Sequence, residues 1–145
     1  MRGLQIGYLL LLCVCAIALA LAENAAAADK TDLTFAPLAN APAQARARTN
    51  PFAGKADEGQ AGGKLYEQHC AECHGAKAAG TRKGPSLLRE EVRSASPGAL
   101  FWVLTNGVVR HGMPVWSKLP EPERWQIVTF LQALGGAHQA TTTNP

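Results

Sequence analysis

The densest chemistry in this 145-residue chain lies in five consecutive residues, Cys70-Ala71-Glu72-Cys73-His74. Two thiols this close, followed at once by an imidazole, have a short list of uses. They can close a disulfide, ligate a metal, act as a redox dithiol, or add to the two vinyl groups of one haem while the histidine lies beneath its iron. Zinc needs a fuller ligand set. Once the leader containing Cys13 and Cys15 is set aside, no second cysteine pair remains, and His69, His111 and His138 lack finger spacing. A thioredoxin-like pair opens a helix beside a βαβ unit, and no such pattern is readable. The spacing and the trailing histidine match covalent attachment of one haem c.

An iron bound by one histidine has a sixth position to fill. Beyond Met1, Met113 is the only methionine, and it sits in Gly112-Met113-Pro114. A methionine that merely fills a core gap is expected on a helix face rather than in an irregular turn between glycine and proline. Met113 is therefore the expected second axial ligand. His111, two residues earlier, is the competing one.

These groups need elements to hold them. A first helix is expected from about Asp57 to Cys70, with acidic residues in its first turn and Leu65 and Tyr66 as bulky apolar positions. Gly59, Gly62 and Gly63 disfavour it, each by up to about 1 kcal/mol, unless they serve close contact with another helix. A second helix has Ser96 as N-cap, Pro97 at its first position, an apolar body from Ala99 to Leu104 and Gly107 as terminator. The third spans about Glu121 to Leu134, closed by Gly135, with Trp125, Ile127, Val128, Phe130, Leu131 and Leu134 on the helical period. No segment reads as a strand, so the expected fold is all-α, with long irregular connections between Gly75 and Ser94 and between Val108 and Leu119.

The rest of the chain frames this core. Arg2 and the apolar run Leu4 to Leu21 make a charged n-region and a hydrophobic h-region, with Ala20 and Ala22 before a cleavage expected at Glu23. Residues 1–22 read as a signal peptide directing the chain to the periplasm; left uncleaved, the run is just long enough to act as a membrane anchor. Residues 23–54 are rich in Ala and Pro with few large apolar side chains, and read as a flexible linker. Residues 55–135 form the domain, small enough that a bound cofactor is a natural expectation, and 136–145 read as a disordered tail. With Arg2 set aside, 13 basic residues face 11 acidic ones, which gives no indication of nucleic-acid binding. Lys77, Arg82, Lys83, Arg89 and Arg93 follow the cysteine motif, where they either steer an acidic partner or simply form a solvated basic loop.

Together these residues resemble the class I, mitochondrial-type cytochrome c family, from about Lys55 to Leu134. Beyond the Cys70–His74 motif and Gly112-Met113-Pro114, the family's Gly-Pro-x-Leu element appears as Gly84, Pro85 and Leu87. The resemblance implies that the Pro85 carbonyl accepts a hydrogen bond from the ring of His74. It also implies that Gly62 and Tyr66 pack on the last helix near Ile127 and Phe130. The family's Ser, Thr or Asp cap on that helix is replaced around Pro120. Leu87, Leu100, Trp102, Leu104 and Trp116 are candidates for the apolar wall around the macrocycle.

The implied function is that of a monohaem electron carrier rather than an enzyme. It would pass single electrons from a dehydrogenase donor to an oxidase or other cytochrome acceptor. Two alternatives stay open: a tethered or bound cytochrome subunit of an oxidoreductase complex, and a ligand-binding or peroxidase-like haem protein in which Met113 detaches. Asn50-Pro51-Phe52-Ala53-Gly54, Pro114-Val115-Trp116 and the Trp125 helix resemble small cytochromes serving periplasmic quinoprotein dehydrogenases for alcohols or sugars.

Overall fold

The computed structural model describes residues 34–142, with side chains as far as 135. The signal-peptide and anchor readings of 1–22, and the first part of the expected linker, lie outside the described residues.

Among the described residues every regular element is helical, and no helix is long and apolar enough to cross a membrane. After a helical segment at 34–39 come α1 (Ala43–Arg46), α2 (Ala56–His69), α3 (Ala71–His74), α4 (Glu90–Arg93) and α5 (Pro97–Asn106). A 3₁₀ turn, Val109–His111, precedes the long α6 (Glu121–Thr142). The all-α fold with three main helices, α2, α5 and α6, is as the sequence indicates. Two of the short helices, α3 and α4, fall in segments read from sequence as a helix end and a loop.

The pairing of α2 with α6 seats the cysteine motif, because α2 ends where the motif begins. It depends on Gly62. A Cβ there would lie 1.9 Å from the Gln126 carbonyl oxygen, so only hydrogen fits between the two backbones. One turn on, Tyr66 is fully buried and its ring lies 5.1 Å from that of Phe130, while Ile127 and Val128 are sealed beside it. Burying each such side chain contributes roughly 1.5–3 kcal/mol, more than the helix loses to its glycines.

Helix α5 begins as expected. Ser96 Oγ accepts from the Ala99 amide (3.2 Å), and Gly107 closes the helix at φ 66°. Its buried face, Leu100 and Phe101, joins Trp125 and Val128 of α6, Val92 of α4 and Phe35 in one apolar cluster.

Two expectations are corrected. Residues 35–54 are not a flexible linker. Phe35 and Ala41 are buried, and Asn50 Nδ2 donates to Thr129 Oγ1 (2.9 Å) and Gln132 Oε1 (3.0 Å) while its Oδ1 accepts from the Phe52 amide (2.9 Å). Arg48 lies over the stacked rings of Phe101 and Trp125 and pairs with Glu121. Ser96 Oγ donates to the Arg46 carbonyl (3.0 Å). This arm has too few apolar groups for a core of its own, so it sets Phe35 and Ala41 into the core of the domain and packs Leu38 and Phe52 against it.

The second correction concerns Gly135, expected to close the last helix. Helix α6 runs through Gly135 to Thr142. The glycine is a point of close approach for the Arg93 stem, 3.1 Å from where a Cβ would stand, rather than a stop. At the other end of α6 the missing cap is replaced by several bonds. Glu121 accepts from Trp125 Nε1 (3.2 Å) as well as pairing with Arg48, and Arg124 Nε donates to the Leu119 carbonyl (3.1 Å).

Candidate haem site

Cys70 caps α2, and α3 carries Cys73 and His74 in the single turn that follows. The turn is short because Gly75 breaks it at φ 81°. The amides of Cys73 and His74 both donate to the Cys70 carbonyl (3.1 and 2.9 Å), which places both cysteines and the histidine on one compact turn. No disulfide joins the two thiols. Burial, followed by the neighbouring Cys73, pushes the Cys70 thiol up to about 11.

Below the motif, residues 75–87 fold back on it. The Gly80 amide donates to the His74 carbonyl (2.8 Å), and the Leu87 amide to the carbonyl of Ala78 (2.8 Å), a fully buried residue at φ 57°. Tyr66 OH donates to the Gly75 carbonyl (2.8 Å), tying the loop to α2. Burial and, second, Cys70 push this phenol up to about 12, so it remains a donor at any ordinary pH.

The loop delivers the Pro85 carbonyl 2.8 Å from His74 Nδ1. A carbonyl can only accept, so Nδ1 carries a proton, and in the neutral tautomer Nε2 is the nitrogen with the lone pair. The resemblance implied this bond, and here it orients the imidazole ring. The donor set fits a c-type haem: two thiols on one turn and a fixed imidazole presenting Nε2.

Met113 lies on a separate element. The amide and carbonyl of Val108 bond the carbonyl and amide of Met113 (3.0 and 3.2 Å), closing a tight loop around the 3₁₀ turn. The Trp116 amide donates to the Leu104 carbonyl (3.2 Å), anchoring the loop to the end of α5. The methionine segment approaches the cysteine segment through Trp116, whose ring lies 5.2 Å from that of His69. Met113 is half-buried and His111 exposed. Among the wall candidates, Leu100 and Leu104 are buried, and Leu87 packs on the apolar cluster; Trp102 and Trp116 are half-buried.

The basic group behind the motif is weaker than its sequence suggests. Lys83 pairs with Glu72 (2.6 Å), Arg89 with Glu91 (3.0 Å) and Arg93 with Glu90 (2.9 Å). Lys77 and Arg82 have no carboxylate partner among the described residues. Sequence reasoning missed the packed arm and the Thr81 hydroxyl, which donates to the Cys73 carbonyl (2.6 Å). Phe35, Arg48 and Asn50 were the available signals for the arm, diluted by its alanines.

An all-α domain with a Cys-x-x-Cys-His turn and a carbonyl-held histidine is that of a c-type cytochrome, an electron-transfer protein with covalently bound haem c. A protein-family model described as "Cytochrome C oxidase, cbb3-type, subunit III" matches residues 57–131. The match covers more than half of the chain, and the chain belongs to this family of cytochrome c domains. Among solved structures it is similar to cytochrome CL from the marine methylotrophic bacterium Methylophaga aminisulfidivorans MPT, with a TM-score of 0.53 and 22% identity over 67% of this chain and 75% of that one. At that identity the likeness speaks for the fold. No curated protein matches the chain.

Proposed function

We propose that this chain is a periplasmic monohaem carrier that takes single electrons from a dehydrogenase, a quinoprotein acting on an alcohol or sugar, and passes them to a downstream respiratory acceptor. Cys70 and Cys73 would hold the haem through two thioethers, His74 Nε2 and the Met113 sulfur would ligate its iron, and the Pro85 carbonyl would hold the histidine ring in place. The haem supplies one reversible electron at a potential raised by thioether ligation. The protein's part is to keep both axial positions filled, so that no substrate or oxygen enters, and to hold the ligands still as charge changes. The observation that carries the reading is the His74–Pro85 hydrogen bond, which occupies Nδ1 and leaves Nε2 as the nitrogen available to iron. The dehydrogenase pairing draws support from the residues around Asn50–Gly54 and from the methylotroph source of the similar structure.

The test is rapid mixing of the ferric protein with a substrate-reduced quinoprotein alcohol dehydrogenase. Full, saturable reduction of the haem is expected. The rate should fall with rising ionic strength and fall again in Lys77→Glu and Arg82→Glu. Failure to accept electrons from such donors, in protein that chemical reductants reduce normally, overturns the pairing.

The family description, which names an oxidase subunit, favours a second reading as a bound cytochrome subunit of an oxidoreductase complex. Release of the native chain as a small protein from the periplasm supports the carrier. Co-elution with a membrane oxidase supports the subunit.

A further inference from the structure

We propose that Thr81 is a positioning residue for the axial histidine: its hydroxyl holds the turn at 81–84 against the cysteine motif and thereby sets the His74–Pro85 hydrogen bond. The proposal rests on the reading of His74 as an iron ligand.

The last carbonyls of any helix lack partners within it, and the Cys73 carbonyl is one of these. Thr81 Oγ1 donates to it at 2.6 Å and accepts from the Lys83 amide at 2.9 Å. The Thr81 amide donates to the Gly84 carbonyl (2.9 Å). One side chain thus closes the turn and fastens it to α3. The turn lies directly on the motif, because a Cβ on Gly84 would stand 3.0 Å from the Cys73 oxygen and 3.2 Å from His74 Cε1. The next residue is Pro85, whose carbonyl meets His74 Nδ1. A displacement of the turn therefore appears at once in that hydrogen bond.

The other fasteners are main-chain bonds or side-chain bonds that miss the motif. The Gly80 amide bonds the His74 carbonyl (2.8 Å), the Leu87 amide bonds the Ala78 carbonyl (2.8 Å), and the Ser86 hydroxyl also reaches the Ala78 carbonyl (3.3 Å). The Lys83–Glu72 pair joins two side chains that are 62% and 81% exposed, where an ion pair contributes little. That leaves the Thr81 hydroxyl as the side chain that grips the motif backbone beside the histidine.

Its effect follows from the direction of the bond. Donation from Nδ1 makes the imidazole more basic and favours ferric iron. A looser bond lowers that basicity and raises the potential.

The experiment uses haem-loaded protein in three forms. Thr81→Val keeps the shape and removes the hydroxyl; Thr81→Ser keeps the hydroxyl and removes the methyl that lies 3.7 Å from the position of a Gly75 Cβ. Exchange of the His74 ring N–H in the ferrous protein, followed by NMR, should be at least about tenfold faster in Thr81→Val. Its midpoint potential should rise, and Thr81→Ser should restore both values. If Thr81→Val does not accumulate, Thr81→Ala provides the same comparison. Lowered thermal stability with wild-type exchange and potential overturns the proposal and leaves the ligand reading intact. Absence of a histidine-ligated spectrum in the wild-type protein overturns both.

Discussion

Gly62→Ala should disturb the haem site from the middle of the helix that leads into it. The added Cβ would stand 1.9 Å from the Gln126 oxygen, 2.4 Å from its carbonyl carbon and 3.0 Å from the Ile127 nitrogen. All three are backbone atoms, so no side chain can swing aside. Ordinary contact begins near 3.4 Å, so α2 and α6 must part by about 1.5 Å. Overpacking of this kind costs about 1–3 kcal/mol or more, and alanine's better helix propensity returns at most about 1 kcal/mol. Parting the helices also loosens Tyr66 against Phe130 and opens Ile127. A net loss of about 2–3 kcal/mol is expected, which lowers the melting temperature of a domain this size by about 10–20 °C. Gly59→Ala is the control. Its Cβ would meet Thr129 Cγ2 at 3.7 Å, an ordinary contact, so propensity alone should stabilise it by up to about 1 kcal/mol. Thermal unfolding of the haem-loaded proteins, followed by far-ultraviolet circular dichroism, measures both. Equal behaviour of the two variants, or a Gly62→Ala protein as stable as wild type, would refute the close-contact argument.

Two further outcomes test the packed arm. Asn50→Ala removes three hydrogen bonds at a buried position, among them the one accepted by the buried Thr129 hydroxyl, so it should cost about 1–3 kcal/mol in denaturant titration and hasten limited proteolysis within 35–54. Glu121 supplies a pH dependence, since bonds from Trp125 Nε1 and then from Arg48 hold its carboxyl below the ordinary value of 4.5. The sign follows from a folded value below the unfolded one: its stabilisation is complete above about pH 4.5 and is lost as pH falls through the lower folded value. Melting temperatures of wild type and Glu121→Gln, measured from neutral pH to below 4, should therefore converge toward the acid end. Parallel curves would remove the role given to this carboxylate.

The site was more legible in the sequence than its surroundings. Cys70, Cys73 and His74 are adjacent, and their spacing is itself the chemistry. Ser96, Pro97 and Gly107 mark α5 because capping is a local property of the backbone. Gly62 and Tyr66 were readable as a contact with the last helix through the family resemblance, while propensity alone counted the glycine against its helix. The arm was not legible. Its alanines and prolines show no period, and the groups that order it, Phe101, Trp125 and Thr129, lie far away along the chain. Gly135 misled for a related reason, since a glycine that ends a helix and one that admits the Arg93 stem look alike in sequence. The basic group after the motif gave a net charge but not its pairing with Glu72, Glu90 and Glu91. Thr81 carried no signal at all, because its partner is a main-chain carbonyl.

The central claim is an iron closed on both faces, by His74 and by Met113, and replacing Met113 tests it most directly. Ferric haem with histidine and methionine ligands shows a weak far-red absorption, and thioether ligation is associated with a raised potential. Met113→Ala should lose that absorption, show a lower midpoint potential and bind carbon monoxide when reduced, while His111→Ala should change none of these. A Met113→Ala protein with the spectrum and potential of the wild type would contradict the account.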